Sequence, residues 1–182
     1  MPAHVIRMPN QISSNTGSGG INICCCRICT CVNLEFLTTK NGLFKLSEVI
    51  LGSLCQTLLI RFGLPYANDI GQAFISFLTT VASCLTTASI LLLCYVVSSK
   101  SFQLIRQSLF EVVFNAVSCF FYLSASSYMG FAVNVWLYPR FVIQSGYMAY
   151  PAMTATYYVG ALVGIIHGVD AYWAYRYFRG YR

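Results

Sequence analysis

Four stretches of apolar sequence, each long enough to cross a bilayer, dominate this chain of 182 residues. A hydrocarbon core of about 30 Å needs roughly 20 apolar residues in a helix. The stretches lie near residues 43–62, 70–97, 108–133 and 150–175. Inside lipid every backbone N–H and C=O must be satisfied within the chain, and segments of this length satisfy them as helices. The expected fold is all-α, an integral-membrane bundle of four transmembrane helices. Composition agrees, because only 9% of residues are charged where a soluble domain carries about 25%. Residues 1–41 read as a polar tail, 42–176 as the four-span domain and 177–182 as a short basic tail. No secretory signal peptide is visible, since the first twenty residues lack an apolar core.

The links between spans are short. "GLPYAND" makes a tight hairpin of the first two spans, "SSKSFQLIR" joins the next pair, and "NVWLYPRFVIQSGYMA" is the only loop of any size. Placing both termini in the cytoplasm puts Arg7, Arg27, Lys40, Lys45, Lys100, Arg106, Arg176, Arg179 and Arg182 inside, with Arg61 and Arg140 outside, nine against two. Lys and Arg concentrate on the cytoplasmic side of membrane proteins, so this is the expected topology. The net charge of +6 is thus an orientation signal and not a nucleic-acid footprint. The outer links carry no cysteine and no N-x-S/T sequon, so neither disulfides nor N-glycans are expected there.

"CCCRICTC", residues 24–31, holds five cysteines: Cys24, Cys25, Cys26, Cys29 and Cys31. In the reducing cytoplasm structural disulfides are disfavoured. A zinc site on Cys24, Cys26, Cys29 and Cys31 would have two nearly contiguous pairs, whereas structural zinc sites separate theirs by a loop. Cys26 and Cys29 form a C-x-x-C pair without the βαβ context of a thioredoxin-like motif. Cysteines in a cytoplasmic segment next to a span suit S-palmitoylation, and that reading is favoured over metal binding or an unmodified cluster. Cys55, Cys84, Cys94 and Cys119 fall inside spans, where cysteine serves as a small apolar packing residue.

Acids inside a membrane are costly and are candidates for function. Glu48, Glu111 and Asp170 lie at similar depths in spans one, three and four, forming an acidic layer near the cytoplasmic side. Lys45, Arg106 and Arg176 flank it as candidate partners. Ion pairs that fix helix register are the plainer reading, and a proton or substrate site is the alternative. His167, three residues before Asp170, is read as a packing or hydrogen-bonding residue, because no nucleophile or metal set accompanies it. Glu111, Asn115, Ser118 and Tyr122 share an inward face of span three. Gly160, Gly164 and Gly168 recur every fourth residue in span four, a small-xxx-small row that lets helices approach closely. The row serves packing within the bundle or self-association through span four, and Ser76, Thr80, Ser83 and Thr87 form a matching row in span two. Val163 beside it would tolerate Leu if it points to lipid.

Four spans, cytoplasmic termini and the opening "GLFKLSEVILG", with Glu48 followed by Gly52, resemble the MARVEL-domain tetraspan proteins over roughly residues 38–178. That resemblance implies a non-enzymatic multi-pass protein of the plasma membrane or intracellular vesicles. It would organise membrane apposition, vesicle trafficking or cell–cell fusion, myoblast fusion included. The expected partners are the lipid bilayer and other membrane proteins, with no cofactor, nucleic acid or small-molecule substrate. The outer cysteine pairs of some junctional relatives are absent, and "GLPYAND" cannot hold the long first outer loop of claudins. A small proton-coupled transporter using Glu48 and a structural component of septate-type junctions remain as alternatives. Epitope tags at either terminus are expected to stain only after permeabilisation; staining of either tag on intact cells would overturn the topology.

Overall fold

The computed structural model describes residues 34–180 apart from Ser145, with side chains from residue 36 onward. After a 3-10 turn over Leu34–Thr38 come α1 (Lys40–Leu58), α2 (Ala67–Ile70), α3 (Gln72–Val97), α4 (Ser99–Arg106), α5 (Leu109–Ala132), α6 (Tyr138–Ile143) and α7 (Ala149–Phe178). Four continuous helical stretches are long and apolar enough to span a membrane: Lys40–Ile70, Gln72–Val97, Leu109–Ile143 and Ala149–Phe178. They form a ring in which α1 packs on α3 and α7, and α5 packs on α3 and α7.

Local chemistry sets the boundaries. Thr39 caps α1, its hydroxyl accepting from the Gly42 N–H at 3.1 Å and donating to the Phe36 carbonyl at 2.6 Å. Such a cap satisfies one of the orphan donors of the first turn. The first hairpin is helical almost to its tip. π-type turns over Leu59–Gly63, a 3-10 turn over Leu64–Tyr66 and α2 carry the chain on, and Gly71 reverses it at φ 67°. Only glycine adopts that backbone without strain. At the other end an extended Ser98 separates α3 from α4, and its side chain caps α4 through the Ser101 N–H at 3.3 Å.

Two expectations are corrected. The segment "NVWLYPRFVIQSGYMA" is mostly not a loop, because span three continues through π-type turns over Val133–Leu137 into α6. Pro139 sits in the first turn of α6, where its missing N–H costs nothing. The hydroxyl row of α3 lies beside the buried face rather than on it. The buried face of α3 includes Ala73, Phe77, Val81, Cys84, Ala88, Leu91 and Tyr95, while Ser76, Thr80 and Thr87 are half-buried and Ser83 is exposed. Two of the hydroxyls bond to the helix's own carbonyls, Ser83 to Thr80 and Thr87 to Ser83. Ser and Thr can satisfy themselves this way and need no inward partner.

The glycines of α7 are used inside the bundle. A Cβ on Gly160 would overlap the Phe77 ring and the Ser126 hydroxyl oxygen. On Gly164 it would lie 3.0 Å from the Tyr122 Cβ, and on Gly168 3.1 Å from the Cys119 Sγ. Absent side chains thus let α7 settle against α5 and α3 within the bundle. Val163 is fully buried, so its expected tolerance of Leu is withdrawn; Leu162 and Ile165 are the lipid-facing neighbours. Overpacking a close helix contact costs about 1–3 kcal/mol. Gly160→Ala is therefore expected to lower the thermal midpoint of the detergent-solubilised protein, while Ile165→Ala leaves it nearly unchanged. Equal midpoints for the two variants would remove the close-packing argument.

Candidate functional site

The buried charges gather at the end of the bundle where α1 and α5 begin and α3 and α7 finish. Lys45 and Glu48 stand one turn apart on α1, and Arg106 enters from the last residue of α4. Glu111 and Asn115 lie one turn apart near the start of α5, and His167 and Asp170 one turn apart on α7. All seven side chains are essentially inaccessible.

Lys45 is the hub. Its Nζ lies 3.0 Å from Glu48 Oε2, 2.8 Å from Asp170 Oδ2 and 3.6 Å from Glu111 Oε1, and donates to Asn115 Oδ1 at 2.9 Å. Arg106 forks between two helices, with one terminal nitrogen 2.7 Å from Glu111 Oε1 and the other 2.9 Å from Asp170 Oδ1. The second nitrogen also donates to Asn41 Oδ1 at 3.1 Å. A rigid guanidinium fork makes two directed bonds where an ammonium offers a point charge. Asn115 closes the set, its Nδ2 donating to Asp170 Oδ2 at 2.8 Å while its Oδ1 accepts from Lys45.

Three carboxyl groups therefore face Lys45 and Arg106. His167 Nδ1 sits 3.2 Å from Glu48 Oε1 and 3.1 Å from Asn115 Oδ1, two acceptors, so this nitrogen carries the hydrogen. The ring stacks on Tyr122 and meets the edge of Phe114, and Lys45 Nζ lies 5.5 Å from the Phe114 ring centre. His167 is thus a hydrogen-bonding member of the layer, clamped between aromatics.

Glu48, Glu111 and Asp170 come together in one network, with Lys45 and Arg106 as their cations. Arg176 does not join it and instead covers the Trp173 ring at 5.4 Å. Six residues from Asp170 is about 240° round a helix, so the two side chains leave on different faces. Asn41 was missed by the sequence reading. Its signal was available, because Asn41, Lys45 and Glu48 follow the i, i+4, i+7 spacing of one helix face. Lys45 and Arg106, two of the nine Lys and Arg residues assigned to the cytoplasmic side in the charge count, are members of this network. Among the described residues no His, Cys, Asp and Glu grouping has the form of a metal site. The cluster Cys24, Cys25, Cys26, Cys29 and Cys31 lies outside the described residues.

Just beyond the layer, Phe36 from the opening 3-10 turn inserts between Tyr95 and Phe102, with ring centres 5.4 and 5.0 Å away. At the opposite end Arg140 makes a two-pronged, partly exposed pair with Asp69 at 2.6 and 2.9 Å.

A four-helix membrane bundle closed by internal ion pairs is the architecture here, and the MARVEL family profile, described as a membrane-associating domain, matches residues 36–173. The chain belongs to the MARVEL family and is a multi-pass membrane protein. Among curated proteins it is similar to Protein singles bar of Drosophila melanogaster, 58% identical over 163 residues covering 90% of this chain and 93% of the relative. No solved structure matches the chain.

Breaking a buried ion pair by removing one partner costs about 3–5 kcal/mol, because the other charge is left uncompensated. Lys45→Met is expected to cost that much in a detergent unfolding titration. Adding Glu48→Gln should return part of the loss, since residues in one network are coupled by roughly 0.5–3 kcal/mol. Strictly additive losses would show that the pair does not act as a unit.

Proposed function

We propose that this protein is a non-enzymatic organiser of membrane apposition, acting in vesicle trafficking or cell–cell fusion, and in myoblast fusion in particular. The observation that carries the reading is the 58% identity to singles bar across 90% of the chain, which takes in tail sequence as well as the spans. The ion pairs of the charge layer tie separate helices together, which supports a role in holding the bundle. The layer is not saturated, because Glu111 Oε2 and Arg106 Nε are buried without a hydrogen-bond partner and Glu48 Oε1 meets only His167, so the transporter alternative is decided by the proton-flux test.

Both termini are proposed to be cytoplasmic, with the protein in the plasma membrane, intracellular vesicles or both. Association with other membrane proteins or further copies would use the lipid-facing side of α7, where Leu162, Ile165 and Val169 are exposed. The five clustered cysteines are proposed S-acylation sites. The cluster ends at Cys31, a few residues before the first span in sequence, the setting that suits S-palmitoylation. With four spans already in the bilayer, acyl chains would not be needed for attachment. They would draw the tail onto the membrane surface and bias the protein towards particular membranes, and Arg27 would add roughly 1 kcal/mol of attraction to anionic lipid.

Removing the protein from myoblasts is expected to leave cells adherent but mononucleate, and the full chain should restore multinucleate cells. Normal fusion in its absence would overturn the reading. The chain with all five cysteines changed to Ser should insert with the same topology, lose acyl-exchange labelling and shift between vesicles and cell surface. Substrate-dependent proton flux abolished by Glu48→Gln would instead favour the transporter.

A further inference from the structure

Opposite the charge layer, a half-open cavity of about 310 Å³ lies between the turn after α1 and the link into α7. Arg61, Phe62 and Tyr66 line one side, and Gln144, Tyr147 and Met148 the other. Arg61 is exposed, with the Phe62 ring 5.9 Å from its guanidinium carbon. Among the described residues no carboxylate lies within ion-pair distance of it. Asp69, the acid at this end, is fully taken by Arg140 through both carboxylate oxygens. Arg61 therefore presents its guanidinium to whatever anion reaches this end from outside the chain.

The surroundings narrow its chemistry. The cavity stands at the lower edge of the roughly 300–1,000 Å³ range of small-molecule sites, which suits a headgroup. Guanidinium recognises phosphate oxygens with two parallel bonds. The Tyr66 and Tyr147 rings meet edge to face at 5.0 Å, giving the aromatic wall common at a membrane interface. Ile60, Leu64 and Met148 next to them are about half to two-thirds exposed, apolar surface on which hydrocarbon can lie. A free ion would use Arg61 alone, whereas a phospholipid uses both the cation and the apolar flanks.

We propose that this cavity holds the phosphodiester headgroup of a phospholipid from the leaflet that meets this end, with Arg61 on the phosphate and the acyl chains along Ile60 and Leu64. The topology proposed above makes that the outer leaflet, but the site does not depend on it.

The test is photolabelling of the full chain in nanodiscs of phosphatidylcholine containing a diazirine-bearing phosphatidylcholine, followed by peptide mapping. Labelling is expected at residues 60–66 and 144–149. Losing a charge-assisted contact should reduce it roughly tenfold or more in Arg61→Gln, with no change in Arg179→Gln, which removes the same charge at the other end. Arg61→Lys keeps the charge and loses the fork, so labelling should fall several-fold, and this variant decides alone if Arg61→Gln does not fold. Undiminished labelling in the Arg61 variants, or an equal fall in Arg179→Gln, would overturn the proposal. Excess inorganic phosphate should leave the labelling in place; displacement by it would assign the site to the free ion and overturn the lipid.

Discussion

Burying a charge in a bilayer is tolerable only when its partner is already there, and this fold is arranged around that constraint. Lys45 is contributed by α1, Arg106 by the α4 connection, Glu111 by α5 and Asp170 by α7. Lipid-facing apolar residues cannot tell one helix arrangement from another, because hydrocarbon is as good a neighbour as a second helix. A set of ion pairs that closes in only one arrangement can. Rotating α7 by one residue would turn Asp170 about 100° away from both cations, leaving its carboxyl without either of them and each cation short of one partner. The layer thereby fixes rotation and depth together, a registry role that buried polar groups have in other helical assemblies.

Close approach of α7 to α5 completes what the layer begins. Gly164 and Gly168 remove the side chains that would hold α7 away from Tyr122 and Cys119. His167 lies between Gly164 and Gly168, and Asp170 is two residues beyond Gly168, so the distance set by the glycines is the distance across which Asn115 and Arg106 must reach. The bonds of 2.8 Å from Asn115 and 2.9 Å from Arg106 to Asp170 are made at that separation. Packing and electrostatics are therefore not separable here. A side chain added at Gly164 would act on the ion pairs as well as on the contact it fills.

Much of this was legible in the sequence, for physical reasons that also explain the failures. The four spans are readable because lipid demands length and apolarity together, and the inward face of α5 is readable because Glu111, Asn115, Ser118 and Tyr122 keep a helical period. Partners in space are harder. Lys45, Arg106 and Arg176 are equally suitable partners in sequence, yet Lys45 and Arg106 enter the layer while Arg176 stacks on Trp173 instead, and nothing local separates them. The hydroxyl row of α3 misled because Ser and Thr hide their polarity in their own helix, so a polar stripe carries no direction. The link after span three misled because aromatic and β-branched residues around Pro139 read as a loop while the backbone continues as helix. The cavity beside Arg61 had no sequence signal, because it is formed by two connections about eighty residues apart.

Phe36 ties the start of α1 to the same end of the bundle. It is buried against Tyr95 of α3 and Phe102 of α4, and its carbonyl accepts from Thr39, the cap of α1. Asn41, within the next turn, accepts from Arg106. The start of α1, the end of α3 and the α4 connection are thus tied through two independent sets of contacts, one aromatic and one ionic, within a few residues of where the tail departs. A substitution in the short α4 connection should behave as a core substitution rather than as a loop change.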